Sequence, residues 1–135
     1  MEKKPLEEII ETIKNISFQE EFDLIVAIGR GGIIPAVLVS QKLDLPLEIL
    51  RIRYRDDNHR PLYDKPKMVE KVKFPFQEKR ILLVDDVSRT GQTFDIAKKE
   101  LVGAQYIKTF AVNTTDGMGD YSCYQGDCFR FPWLF

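Results

Sequence analysis

The sequence predicts an α/β fold, a mostly parallel twisted sheet flanked by helices with a small irregular C-terminal hood over 113–135. Three features predict it. The runs 24–28 and 81–84 are continuously apolar, as strands covered on both faces are. Each leads into a glycine-bearing turn and then a helical pattern. Strand and helix patterns alternate along the chain, which implies a parallel sheet with crossover helices. A length of 135 residues fits one domain over 1–135.

The elements follow in order. Pro5 suits the start of a helix, where its missing N–H has no partner to lose. Leu6, Ile9, Ile10, Ile13 and Ile16 then form one apolar stripe, with Glu7, Glu8 and Glu11 off it near the positive end of the helix dipole. The run 24–28 is a buried strand. Residues 33–42 read as a helix with Pro35 in its first turn. Residues 47–54 alternate apolar and charged, as a strand with one partly exposed face does. Residues 55–67 are polar, contain Pro61 and Pro66, and read as a long loop of the kind that forms lids. A short strand is expected at 69–74 and the central parallel strand at 81–84. A helix follows at 93–102, ended by Gly103, and a strand at 106–112. From 113 onward Gly, Asp and aromatic residues point to irregular structure.

Composition narrows the function. Twenty Lys and Arg against 21 Asp and Glu give a net charge of −1, which lacks the basic footprint of a nucleic-acid binder. The single histidine, His59, excludes zinc sites built on two histidines, and plain solvent exposure is expected for it. Cys123 and Cys128 are too few for a disulfide scaffold and read as reduced thiols with no metal role. No run approaches the ~20 apolar residues of a membrane span, and residues 1–8 lack the apolar core of a signal peptide. The expectation is a soluble cytoplasmic protein with no membrane or nucleic-acid partner.

Two turns carry chemistry. In Gly29-Arg30-Gly31-Gly32, glycines allow a sharp turn and close approach of a ligand. The helix after it offers unpaired N–H groups to an anion, and Arg30 adds a fork of donors. Neither a dinucleotide fingerprint nor a Walker A loop is present, because Ile34 fills the last glycine position and no Gly-Lys-Ser/Thr follows. A tight turn without a ligand explains this segment equally well.

The second turn, Asp85-Asp86-Val87-Ser88-Arg89-Thr90-Gly91-Gln92-Thr93, is the strongest signal. Adjacent carboxylates within a regular strand point to opposite faces. At a strand end the chain bends and both reach one crevice, as independent acids rather than a pair sharing a proton. They suit sugar hydroxyls or waters around Mg²⁺. Ser88, Thr90 and Thr93, with Gly91 among them, then open a helix in the manner of a phosphate cup. Acid pair followed by phosphate cup suits a ribose 5-phosphate. The bland alternative is an Asp helix cap beside a solvated hydroxyl turn.

This second segment resembles the signature of the type I phosphoribosyltransferases, and the turn 29–32 resembles their pyrophosphate loop. The nearest resemblance is to the small xanthine-guanine and hypoxanthine phosphoribosyltransferases. The short chain, the segment 54–60 (similar to their mobile loop) and the ending 127–133 (similar to their base-binding tail) carry it. It covers roughly 20–133 and implies a reaction. 5-Phosphoribosyl 1-pyrophosphate (PRPP) and a nucleobase, here a 6-oxopurine such as xanthine, guanine or hypoxanthine, give a nucleoside monophosphate and pyrophosphate, with Mg²⁺ as cofactor.

The resemblance also implies roles. Asp85, Asp86 and Arg30 are the catalytic residues, and Asp85 and Asp86 serve Mg²⁺. Arg30, Gly31, Gly32, Asp85, Asp86, Ser88, Arg89, Thr90, Gly91, Gln92 and Thr93 bind PRPP and its phosphates. Phe129, Val112 and Arg130 face the base, with Phe129 stacking on it. The Arg30–Gly31 peptide is expected to be cis, the loop 55–67 to close over the site, and the protein to form a homodimer or homotetramer. Two positions depart from the purine pattern: Arg89 stands where an Asp is usual, and Val112 follows Phe110-Ala111 where a Lys is usual. Both fall on base recognition. They keep open an alternative, a regulatory sensor that binds PRPP or a nucleotide without turnover.

Overall fold

The computed structural model describes residues 2–53, 67–68 and 71–134. Helix α1 spans Leu6–Asn15, strand β1 Leu24–Ile28, helix α2 Ile33–Leu43 and strand β2 Leu47–Leu50. Two-residue strands β3 (Ile52–Arg53) and β4 (Lys67–Met68) follow, then β5 (Arg80–Ser88), α3 (Gln92–Glu100), β6 (Tyr106–Thr114) and β7 (Tyr121–Gln125). The main sheet has five strands in the order β2-β1-β5-β6-β7, and every neighbouring pair is parallel. β3 and β4 form a separate antiparallel pair.

Helices cover both faces, as the apolar runs require. Ile9 and Ile13 of α1, with Ala36 and Val39 of α2, pack on Ile25, Ala27, Leu82, Val84, Phe110 and Val112. Phe94, Ala97 and Leu101 pack on the opposite face against Leu24, Val26, Ile28, Ile81 and Leu83. Ile13, Ile25, Leu82 and Leu83 are among the fully buried side chains, each contributing about 1.5–3 kcal/mol of transfer free energy. The strand order reverses direction between β1 and β5, since the chain leaves β1 toward β2 and returns on its other side. In such sheets the crevice at the strand carboxyl ends beside that switch point takes the ligand.

Several expected elements change. The strand expected over 47–54 breaks at Arg51, and Ile52 leaves the main sheet to pair with Met68. Of the strand expected at 69–74, the described residues 71–74 have no strand structure. The central strand is longer than its apolar run, because it continues through the acid pair to Ser88. The tail is not wholly irregular: β7 lies parallel to β6, with Phe110 opposite Tyr121. Asp120 accepts the Thr109 N–H at 2.9 Å and so ties the start of β7 to β6. His59 and most of the expected lid, 55–66, lie outside the described residues.

Candidate functional site

The site forms where β1 and β5 end side by side. After Ile28 the chain turns through Gly29 to Gly32, and the Gly32 N–H donates to the Ile28 carbonyl at 3.0 Å. This turn is pressed against β5. A β-carbon at Gly32 would lie 2.3 Å from the Val84 carbonyl oxygen, and one at Gly31 would lie 2.5 Å from Asp86 Oδ2. Only glycine permits that approach. The two corners read from the sequence therefore meet at one crevice, with the exposed Arg30 at its edge.

β5 does not end before the acids, as expected, but its side-chain alternation is interrupted there. Leu82 and Val84 face α1 and α2, Ile81 and Leu83 face α3, and Val87 packs on the α1/α2 side although strict alternation would send it to the other. The reason lies in local hydrogen bonds. The Asp86 N–H donates to Asp85 Oδ1 at 2.8 Å, and the Val87 N–H donates to Asp86 Oδ1 at 2.7 Å. These backbone donors turn to carboxylates on their own strand, and Asp86 lies against Gly31 of the glycine turn.

The carboxyls are not independent, contrary to the sequence-based expectation. They hydrogen-bond to one another. Burial raises the Asp85 pKa well above the usual carboxylate range, and the neighbouring charge of Asp86 raises it further. Burial also raises Asp86, opposed by its hydrogen bonds to Asp85 and Val87 and by the charge of Arg89. Two acids held close and desolvated carry excess negative potential, which a cation or a set of hydroxyl donors would relieve. Their oxygen donors are the hard type that Mg²⁺ takes.

Beyond the acids, Ser88 is buried while Arg89 and Thr90 are exposed. Gly91 has φ +79°, with open space where a β-carbon would project. α3 begins at Gln92 with no side-chain cap, apart from a long 3.4 Å bond from the Gln92 N–H to Thr90 Oγ1. Its first N–H groups and the hydroxyls of Thr90 and Thr93 thus stand at the same end of the sheet as the glycine turn. Thr115, which sequence reasoning did not single out, buttresses this loop. Its N–H donates to the Ser88 carbonyl at 2.9 Å and its hydroxyl to the Arg89 carbonyl at 3.4 Å. Extending the strand read at 106–112 through Thr114 would have exposed this role.

Two of the three residues expected to face the base, Val112 and Phe129, are buried. Val112 is fully buried among the α1 and α2 core, so it offers no surface to a ligand. Phe129 is 5% exposed; Tyr124 and Phe131 pack on it at ring-centroid distances of 5.2 and 4.9 Å, and the Lys4 ammonium lies 5.1 Å from its ring centroid. Its faces are used in packing, which removes it as a stacking platform in this structure. Arg130 is exposed, and its backbone binds the N-terminal segment, donating to the Glu2 carbonyl at 2.7 Å and accepting from the Lys4 N–H. The expected cis peptide at Arg30–Gly31 is absent, since the described peptide bonds are trans. The glycines accomplish the turn by close approach instead.

Comparison with known proteins agrees with this geometry. The model of the phosphoribosyl transferase domain family matches residues 2–118. A xanthine-guanine phosphoribosyltransferase of Idiomarina loihiensis is 26% identical over 117 residues, covering 84% of this chain and 72% of that protein. The crystal structure of a purine phosphoribosyltransferase from Pyrococcus horikoshii superposes with a TM-score of 0.77 at 26% identity, covering 97% of this chain and 92% of the other. A Neisseria gonorrhoeae protein with bound ppGpp shares the fold with a TM-score of 0.75 at 22% identity, covering 98% and 89%. A glycine turn against an acid pair, followed by an open hydroxyl loop at a helix start, is thus set in a sheet shared with purine-handling enzymes, and the chain belongs to the phosphoribosyl transferase domain family of glycosyltransferase-type enzymes.

Proposed function

We propose that this enzyme transfers the 5-phosphoribosyl group of PRPP to a nucleobase, a 6-oxopurine such as xanthine, guanine or hypoxanthine, and releases pyrophosphate. The observation that carries the proposal is the contact of Gly31 with Asp86, which sets a pyrophosphate-type corner and a ribose-type acid pair within one ligand's length. Asp85 and Asp86 hold the ribose hydroxyls. Ser88, Thr90 and Thr93, with the N–H groups at Gly91 and Gln92, hold the 5-phosphate. Arg30 and the N–H groups of Gly31 and Gly32 hold the pyrophosphate. The acid pair fits Mg²⁺, which when bound neutralises charge on the pyrophosphate and its leaving oxygen. Catalysis by these residues is positioning and charge stabilisation of an oxocarbenium-like sugar.

A cytoplasmic setting fits the free cysteines. Self-association as a dimer or tetramer is supported by exposed Ile34, Val37 and Ile49 around α2 and the β2 edge. The decisive experiment is a panel of purines, pyrimidines and related heterocycles incubated with PRPP and Mg²⁺, read by mass spectrometry. Formation of a nucleoside monophosphate that disappears in Asp85→Asn/Asp86→Asn is expected. No product with any base would overturn the transferase reading.

A second reading is supported by Arg89, whose positive charge acts on Asp86, and by the ppGpp bound to the related fold from Neisseria gonorrhoeae. On that reading the same crevice binds PRPP or a nucleotide polyphosphate as a regulatory signal. Saturable binding by calorimetry without turnover on the base panel would favour it.

A further inference from the structure

A second basic concavity flanks the glycine corner. It is a groove of about 230 Å³ between the edge of β2 and the segment 71–74, with Glu48, Ile49 and Arg51 on one lip and Lys71, Lys73 and Phe74 on the other. Lys71, Lys73 and Arg51 thus line it together with one carboxylate residue, Glu48. Leu50, which also lines it, accepts the Gly29 N–H at 2.8 Å, so the groove opens one strand away from the turn that carries Arg30. β2 is an edge strand whose only partner among the described residues is β1.

We propose that this groove is a second anion site, which receives free pyrophosphate beside the glycine corner. Its volume is below the ~300–1,000 Å³ of pockets for drug-sized ligands, which suits a small anion. A diphosphate carries several negative charges, and Lys71 and Lys73, two positions apart on one lip, can each take a share of them. Ile49, Leu50 and Phe74 supply the apolar part of its lining. The assignment rests on the proposed transferase reaction, whose leaving group is this anion. A product lodged there lies beside the corner it has left, and it slows rebinding of the next PRPP by charge repulsion.

The test is calorimetric titration of the full chain with inorganic pyrophosphate at fixed ionic strength. Two binding events per chain are expected. Lys71→Gln/Lys73→Gln should weaken one at least tenfold and leave the other, while Arg30→Ala should do the reverse. Lys98→Gln/Lys99→Gln, on exposed positions of α3, removes the same charge and should change neither event. An unchanged isotherm in the Lys71/Lys73 variant, or an equal loss in the Lys98/Lys99 variant, overturns the groove site. An unchanged isotherm in Arg30→Ala, with the groove event still lost in the Lys71/Lys73 variant, overturns the corner assignment and leaves the groove standing. Titration with GDP separates free diphosphate from a nucleotide: binding through Lys71 and Lys73 by GDP but not by pyrophosphate sinks the free-anion assignment.

Discussion

Gly31 lies against the carboxylate of Asp86, close enough that a β-carbon would stand 2.5 Å from Oδ2, while its neighbour Gly32 lies equally tight against the Val84 carbonyl. The two contacts differ in what must yield. Asp86 is a side chain and can swing, but it is held by the Val87 N–H; Val84 is backbone inside the central strand and cannot. Gly31→Ala should therefore fold and lose PRPP affinity or turnover by tenfold or more. Gly32→Ala should lose about 2–3 kcal/mol of stability by overpacking. Thermal unfolding beside PRPP titration checks both, and equal stability loss in the two variants would contradict the distinction.

Asp85 is an acid kept where burial disfavours its charge. Its folded pKa lies above its unfolded value of 3.8, so the folded state holds the proton more tightly. The cost of ionisation enters as pH rises above that unfolded value and is fully present above the folded one. Asp85→Asn removes this cost, and its Oδ1 still accepts the Asp86 N–H. The variant should gain about 1 kcal/mol, roughly 4 °C in Tm, at pH 7.5 while losing activity. A lower Tm would show that the carboxylate stabilises the fold.

The opposite sign holds at Asp23. Arg80 binds it through Nε at 3.0 Å and NH2 at 2.8 Å, and these hydrogen bonds lower its pKa from 3.8 to about 2. Its contribution is present above pH 3.8 and is lost as pH falls toward 2, while Arg80 stays charged throughout. Partial exposure keeps it modest. The stability gap between wild type and Asp23→Asn should be constant from pH 7 to 5 and close between pH 4 and 2. A gap that persists at pH 2 would assign it to packing.

Phe129 belongs to the core, so its substitution should read out in stability before substrate recognition. Phe129→Ala should cost about 3–4 kcal/mol. Phe129→Leu should be milder and leave the KM for the base within about twofold. A tenfold rise in that KM with unchanged Tm would restore it as a stacking residue.

What was legible in the sequence was local. The continuous apolar run before Asp85 marked a strand buried on both faces, and the glycines at 29, 31 and 32 marked a turn of close approach. Both signals depend on residue type and spacing over a few positions. Tertiary structure decided what lay beyond that range. Whether β1 and β5 are neighbours, and so whether the two corners share a crevice, is a property of strand order, which no local pattern encodes. The alternation is interrupted at Asp85 and Asp86, where the Asp86 and Val87 N–H groups each donate to the carboxylate of the preceding residue. β7 was missed because a short, half-buried edge strand lacks the apolar run of a central one. Phe129 looked available because an aromatic residue in a tail reads the same whether it faces a ligand or a core, and only packing against Tyr124, Phe131 and Lys4 settles which.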